Sequence, residues 1–457
     1  MTQTPDRYSS LTKKFSHLWQ DEYSKDFMKD SSWLFGRNVI TALIALFQGI
    51  VVARWLKVEN YGLLALIFTY VEIVNQIIDF RVYEAATKYI SEFLVTEKKG
   101  ECLASIKLFF IIDIISGITA FIVVYCTAYL AARYIVHRPD LTGLIAIYSL
   151  SLLFNTARGT SSAILGIFNK FDWLSLHAVS VAIVRLVMVI LSLLIIKPDV
   201  ESVVIAYVIT DFFGGTSLVF LSLIPVKEKL WGFKNHSSVG LLRHRYGELR
   251  SFLFSTNANE LLTLITKNID ILFLGYFRSP LEVGYYRLAK TLVGTLSLLS
   301  EPFYTIIYPA LTKMWVKREF QRVKDTMKKV TFFLGTAMLF ISILIAVFSP
   351  FIIRLIIGVE YLPAVIAVRI MIWGHVIGGM FVWARPLLLA AGKPNIPTLV
   401  NLVCAFITVI FSIFLVPAYG YVGSATVFLL PWFVGHMIVI GYIFNNNLLQ
   451  GTVLRSL

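Results

Sequence analysis

The chain has 457 residues, of which 57% are hydrophobic and only 15% are charged, and its formal net charge is +14. Soluble domains carry about 25% charged residues, so this composition excludes a soluble enzyme. It also excludes a disordered or nucleic-acid-binding chain, because the positive charge of a membrane protein is expected to collect on one side of the bilayer.

Long apolar runs predict twelve membrane-spanning helices, since about 20 apolar residues are needed to cross a bilayer. The predicted spans cover residues 33–53, 62–80, 103–130, 141–157, 174–196, 202–224, 251–275, 284–306, 330–350, 364–390, 396–416 and 422–444. The sequence therefore predicts an all-α polytopic membrane protein.

The polar segment 1–30 precedes the first span. Apolar residues recur in it at helical spacing and predict an amphipathic helix on the membrane surface: Leu11, Phe15, Leu18, Trp19 and Tyr23. Lys and Arg are concentrated in the connections on the N-terminal side of the bilayer. The positive-inside rule then predicts that both termini are cytoplasmic, and we expect the protein in the cell inner (plasma) membrane.

The longest inner connection, residues 225–250, divides an N-lobe of six spans (31–224) from a C-lobe of six spans (251–457). Two halves with an even number of helices share one orientation, so a pseudo-two-fold axis along the membrane normal would relate them. A faint repeat supports duplication, because Ala157-Arg158 recurs in the second half as Ala384-Arg385.

Polar residues inside the spans are the main functional signal, because an ionisable group in hydrocarbon is costly unless it faces a partner or water. They follow single faces of the first two spans of each half, which predicts a central polar cavity. The candidate substrate-binding residues are Arg37, Gln48, Asn257, Lys267, Arg287 and Lys290. Glu72 and Glu260, near the midplane, are candidate ion-coupling groups.

Structural alternatives to these roles stay open. Arg37 and Arg287 could extend to the membrane surface, and Lys267 or Lys290 could form a structural ion pair with either candidate carboxylate.

Other charged residues are expected to have local roles. Three acidic residues near span ends are expected to cap helices or lie in loops: Asp79, Asp270 and Glu301. Arg185 and Asp211 could pair within the first half, and Arg369 and Arg385 could either reach the cavity or cap helix ends.

The sequence contains no catalytic constellation and no P-loop. Its three cysteines are scattered singly, without the spacing of a metal or redox site: Cys102, Cys126 and Cys404. We therefore expect no enzyme activity, no metal and no cofactor.

At Arg54-Trp-Leu-Lys-Val-Glu-Asn-Tyr61-Gly62 the chain resembles the polysaccharide transporter family, the O-antigen and lipid-linked oligosaccharide flippases of the multidrug/oligosaccharidyl-lipid/polysaccharide exporter superfamily. That family usually shows R-x-L-G-P-E-x-Y-G here, so Lys57-Val58 replaces the usual Gly-Pro. The resemblance continues at Asp270-Ile-Leu-Phe-Leu-Gly275, at Val283-Gly284 and at Gly420-Tyr-Val-Gly423, and it covers the whole chain.

The resemblance implies a two-lobed, twelve-helix flippase that moves polyprenyl-diphosphate-linked oligosaccharide from the inner to the outer leaflet for cell-surface polysaccharide biosynthesis. Its partners would be this lipid-linked glycan, membrane lipids, a coupling ion (H⁺ or Na⁺) and a glycan polymerase or glycosyltransferase. The alternative is an ion-coupled multidrug exporter of the same fold.

Overall fold

The structure is a computed structural model, and it describes residues 22–80, 82–230, 232, 237–446 and 448. The described part is almost entirely helical and contains no strand, which confirms the all-α prediction. Most of the predicted surface helix at residues 1–30 lies outside the described residues.

The described part contains eight helical stretches that are long and apolar enough to cross a membrane. Two of them each hold two spans, because the helix Glu22–Ile78 breaks at Lys57 and the helix Asn395–Asn445 breaks at Gly420. The helix Tyr246–Phe277 and the pair Pro280–Gly294 and Ser297–Val316 carry more charge and form the seventh and eighth spans. Counted in this way, the described residues give the twelve predicted spans.

The second span continues beyond Ile78 as the helix Val82–Val95. The remaining spans are the helices Lys99–Tyr134, Thr142–Asn155 with Arg158–Ile167, Phe171–Leu191, Val200–Leu230, Phe320–Ile352, and Ala364–Met380 with Ala384–Ala390. The fourth and tenth spans are therefore both broken, and the repeated Ala-Arg pair stands at the break in each. The repeat found in the sequence thus marks the same structural feature in the two halves.

The apolar core is shared by the two halves at one end of the molecule and divided at the other. A large cluster joins first-half residues such as Leu66 and Ile145 to second-half residues such as Tyr286 and Val365. At the opposite end, one cluster around Tyr89 and Phe109 belongs to the first half and the start of the seventh span, and a second around Leu311 and Leu387 belongs to the second half. The lobes are therefore joined at the end that the charge distribution predicts to be outer, and they separate toward the inner end.

Close backbone contacts seal the joined end. A Cβ added at Gly62 would lie 1.8 Å from the Pro280 carbonyl oxygen, and one at Gly284 would lie 2.2 Å from the Val58 carbonyl oxygen. Nearby, the Tyr361 hydroxyl donates to the Ala53 carbonyl over 2.8 Å. Only glycine permits this approach of the two lobes.

The connection between the lobes docks on the first lobe through charged side chains. Arg245 pairs with Glu92 at 2.5 Å and with Glu248 at 2.8 Å, and Lys88 also contacts Glu248, at 3.2 Å. The start of the seventh span is therefore attached to the first lobe as well as to the second.

Lys57 has the backbone conformation φ 61°, ψ 174°, a region that glycine occupies and other residues almost never do. The related family usually has glycine at this position, so the sequence departure places a side chain in a strained conformation. We expect Lys57→Gly to stabilise the protein by about 1–3 kcal/mol. Thermal unfolding of the purified protein in detergent measures the effect, and an unchanged or lower transition temperature would contradict it.

We expect Gly62→Ala to destabilise the closed outer end by about 1–3 kcal/mol, because the new methyl group overlaps the Pro280 carbonyl. Gly143→Ala is the matched control, since a Cβ there meets nothing within 4 Å. Thermal unfolding and hydrogen–deuterium exchange of residues 54–62 compare the two variants. Equal behaviour would show that the lobes do not depend on this contact.

Candidate functional site

A cavity of about 870 Å³ opens between the lobes. Its described walls come mainly from the first, second, fourth, fifth and sixth spans, and the eighth span supplies the second-half wall. Its charged lining residues are Arg37, Arg158, Arg185, Arg287 and Glu301, with His177 as a further titratable group. The described lining is therefore strongly basic.

Three of these guanidinium groups have no carboxylate partner among the described residues. Arg37 donates to the Asn38 amide oxygen at 3.1–3.2 Å, and Arg158 donates to the Asn155 amide oxygen at 2.6 Å. The Arg287 guanidinium forms neither an ion pair nor a hydrogen bond within the described part, although it lines the cavity. Bonds to neutral oxygens leave the positive charge of an arginine uncompensated, so these three groups can attract an anion.

Arg185 differs because it is neutralised. It pairs with Asp211 at 2.5 Å and lies over the Tyr207 ring at 5.0 Å. The pairing that the sequence suggested for Arg185 and Asp211 is therefore present. The side chain of Arg185 also lines the cavity, which the sequence did not indicate.

A polar and aromatic wall completes the first-half side. The Gln48 side-chain amide donates to the Tyr207 hydroxyl over 2.6 Å. The Phe68 ring stacks on the Tyr148 ring with centroids 4.3 Å apart, and it packs at a tilt against the Tyr207 ring with centroids 4.6 Å apart. Such flat, amphipathic surfaces suit the alternating polar and apolar faces of a sugar.

Lys290 lies outside this lining, in a buried ion pair. Its ammonium group donates to both Asp270 oxygens at 3.0 Å and to the Lys267 carbonyl, and the Tyr286 hydroxyl donates to the same carboxylate. Asp270 is only 2% exposed. Among the described side chains the partner of Lys290 is therefore Asp270 and not Glu72, and the expected loop or capping role of Asp270 is wrong, because burial of the lysine requires this carboxylate.

The structure separates the other predicted site residues. Arg37, Gln48 and Arg287 meet at the cavity. Lys267 has an exposed side chain that is not among the described lining residues. Asn257 is buried, and its amide oxygen accepts no hydrogen bond from any described residue.

The candidate coupling carboxylates do not line the cavity in the described part either. Glu72 is exposed and accepts a hydrogen bond from Gln76 at 2.9 Å. Glu260 lies on the seventh span, with its side chain outside the described part of the structure.

Besides Arg185, sequence reasoning missed two further cavity residues. The sequence marks Arg158 only as part of the repeat, and the break before it in the fourth span brings its side chain to the cavity. Glu301 was expected to have a local role at a span end, yet it lines the cavity. The repeated Ala-Arg pair was the one available signal for Arg158.

Comparisons with known proteins agree with this architecture. The chain matches the family model described as "Polysaccharide biosynthesis protein" over residues 27–315 and the MatE model over residues 258–414. It is 25% identical over 456 residues to the "Uncharacterized membrane protein MJ1068" of Methanocaldococcus jannaschii, covering 95% of this chain and 87% of that protein.

Two solved structures share the fold. The lipid II flippase MurJ in an inward closed conformation gives a TM-score of 0.70 at 18% identity, covering 90% of this chain and 87% of that one. A multidrug resistance MATE transporter of the MOP superfamily in an inward-facing conformation gives 0.73 at 13% identity, covering 91% and 96%. These likenesses establish a twelve-helix fold of two pseudo-symmetric lobes.

We expect Lys290→Met to lower the amount of folded protein sharply, since removing one partner of a buried pair costs about 3–5 kcal/mol. The double variant Asp270→Asn/Lys290→Met removes both charges and should recover most of the folded protein. Size-exclusion chromatography of the solubilised variants measures both. Full abundance of Lys290→Met together with loss of transport would instead support a substrate-binding lysine.

Proposed function

The chain belongs to the polysaccharide biosynthesis protein family, and we propose that it is a flippase for polyprenyl-diphosphate-linked oligosaccharide. At a coarser level it is a membrane transporter of the MOP superfamily and not an enzyme. The proposed movement is from the cytoplasmic to the outer leaflet of the inner membrane, in support of cell-surface polysaccharide synthesis.

The main support for this proposal is that the described cavity lining has more arginines without a carboxylate partner than it has carboxylates. A diphosphate is a compact group with several negative charges, and arginine binds phosphate oxygens in a bidentate manner. Arg37, Arg158 and Arg287 are contributed by both halves, so a bound diphosphate would join the lobes. Such a group crosses hydrocarbon only if cationic partners replace its water.

A second cavity of about 500 Å³ suits the lipid part of this substrate. It lies between the first and fifth spans, shares Arg37 with the main cavity, and is otherwise lined largely by apolar side chains such as Trp33, Ile40 and Leu176. A polyprenyl tail could occupy it and remain in contact with the bilayer while the diphosphate meets Arg37. Sugars would face the aromatic wall around Tyr207.

The MatE match and the MATE likeness favour a second candidate, an ion-coupled multidrug exporter. Cationic drugs would require carboxylates that are free to face the cavity. Glu301 is the one carboxylate among the described lining residues, and Asp211 and Asp270 are already neutralised by basic side chains. The charge balance therefore supports the anionic substrate.

Deletion of the gene in its host tests the proposal. We expect lipid-linked precursor to accumulate at the inner leaflet and surface glycan to be lost, and the sugar composition of the precursor identifies the substrate. If both pools are unchanged in a host without a redundant paralogue, drug export becomes the leading function.

Complementation with point variants tests the role of the cavity. We expect Arg287→Gln and Arg158→Gln each to reduce export roughly tenfold or more, because a charged hydrogen bond contributes about 1.5–3 kcal/mol. Arg385→Gln is the matched control, since Arg385 occupies the equivalent break in the second half and is exposed away from the described lining. Equal export by all three variants at equal abundance would reject the arginine cavity as the substrate site.

A further inference from the structure

Three carboxylates within the described part of the spans are almost completely buried. Asp113 is 2% exposed, Asp211 is 5% and Asp270 is 2%. Asp211 and Asp270 each have a basic partner, Arg185 and Lys290, at 2.5 Å and 3.0 Å. Asp113 has no ion pair with any described residue, so its charge needs another explanation.

The groups around Asp113 can form hydrogen bonds with its carboxyl group in both the ionised and the protonated state. Its carboxylate accepts a hydrogen bond from the Thr160 backbone N–H at 3.2 Å, and the Thr160 side chain also faces it. The Thr160 hydroxyl is fully buried and forms no geometrically regular hydrogen bond among the described residues. A hydroxyl can donate to an ionised carboxylate or accept from a protonated one, so this group suits either form of Asp113.

We propose that Asp113 is an exchangeable proton site of this transporter, an inference that rests on the proposed transport function. An unpaired charge in this environment is strongly unfavourable, and binding a proton removes that cost. Asp113 differs from Asp211 and Asp270 because no lysine or arginine among the described residues neutralises its charge.

The position of Asp113 connects this proton to the cavity. Thr160 belongs to the helix Arg158–Ile167, whose first residue places its guanidinium in the cavity. Asp113 thus holds the backbone of the helix that presents Arg158. A diphosphate near Arg158 adds negative charge, which favours the protonated form of Asp113, and by linkage the proton favours the diphosphate.

The other charged groups around Asp113 do not neutralise it. Asp79, at the end of the second span, carries a charge of the same sign and therefore cannot neutralise Asp113. None of the remaining described charged or titratable groups on the packed elements forms an ion pair or a hydrogen bond with the Asp113 carboxylate: Lys107, Arg158, Tyr83, Glu84, Lys88, Tyr148, Arg243, His244 and Arg245. Arg81 lies outside the described residues, and the experiment below includes it.

Infrared spectroscopy of the purified full-length protein tests the proposal without any substrate. A protonated carboxyl gives a C=O stretching band that is distinct from the carboxylate bands. We expect wild type to show this band at neutral pH and to lose it as the pH rises, and we expect Asp113→Asn to lack it. Asp140→Asn is the matched control, because Asp140 is exposed and paired with Arg138, so its removal should leave the band in place.

Several outcomes would overturn the proposal. These are the absence of the band in wild type, its persistence in Asp113→Asn, its appearance only in Arg81→Gln, or its appearance only when Na⁺ is withdrawn. The last two would assign Arg81 or a sodium ion as the counter-charge. If Asp113→Asn fails to fold, Asp113→Glu replaces it and should shift the frequency of the band.

Inorganic pyrophosphate then separates the proton site from the transport function. We expect it to shift the titration of the Asp113 band to higher pH in wild type and not in Arg158→Gln. A band that is present but does not respond to pyrophosphate would support the proton site and contradict the proposal that the cavity binds a diphosphate. Absence of the band would reject the proton site and leave the flippase proposal to the genetic test.

Discussion

The cost of an uncompensated charge in hydrocarbon governs this structure. The described part of the fold reduces that cost in two ways. Arg185 with Asp211 and Lys290 with Asp270 are neutralised by direct contact. Arg37, Arg158 and Arg287 retain their charge because they face an open cavity that water or an anion can fill. The uncompensated positive charge of the described lining is therefore gathered at the cavity, which is why the substrate is proposed to bind there.

The shape of the cavity follows from the distribution of apolar contacts. One core crosses between the lobes at the end sealed by Gly62 and Gly284, and two separate cores stabilise the lobes at the other end. Two bodies joined at one end can rock about that joint without breaking their own cores. The same arrangement that opens the cavity toward one side therefore provides the means to close it.

The sequence predicted the fold well and the site only in part. The number of spans and the all-helical fold class follow from the lengths of the apolar runs, and those lengths can be read from local sequence alone. Whether a lysine faces a cavity or a buried aspartate depends on two helices at once, so Lys290 could not be assigned from its own span. The break that brings Arg158 to the cavity was visible only as half of a repeat. At Lys57 the sequence was informative, because its departure from the family pattern coincides with a strained backbone conformation.

The two halves carry the same break but use it differently. In the first half, Arg158 faces the cavity and Asp113 binds the backbone two residues further along the same short helix. In the second half, Arg385 occupies the equivalent position and is exposed away from the described cavity lining. Meanwhile the second half neutralises its buried carboxylate internally, through Lys290. Of the three buried carboxylates in the described spans, Asp113 alone lacks a basic partner, and it binds the helix that presents Arg158 to the cavity. The proposed proton and the proposed substrate would therefore act on a common element of the first half.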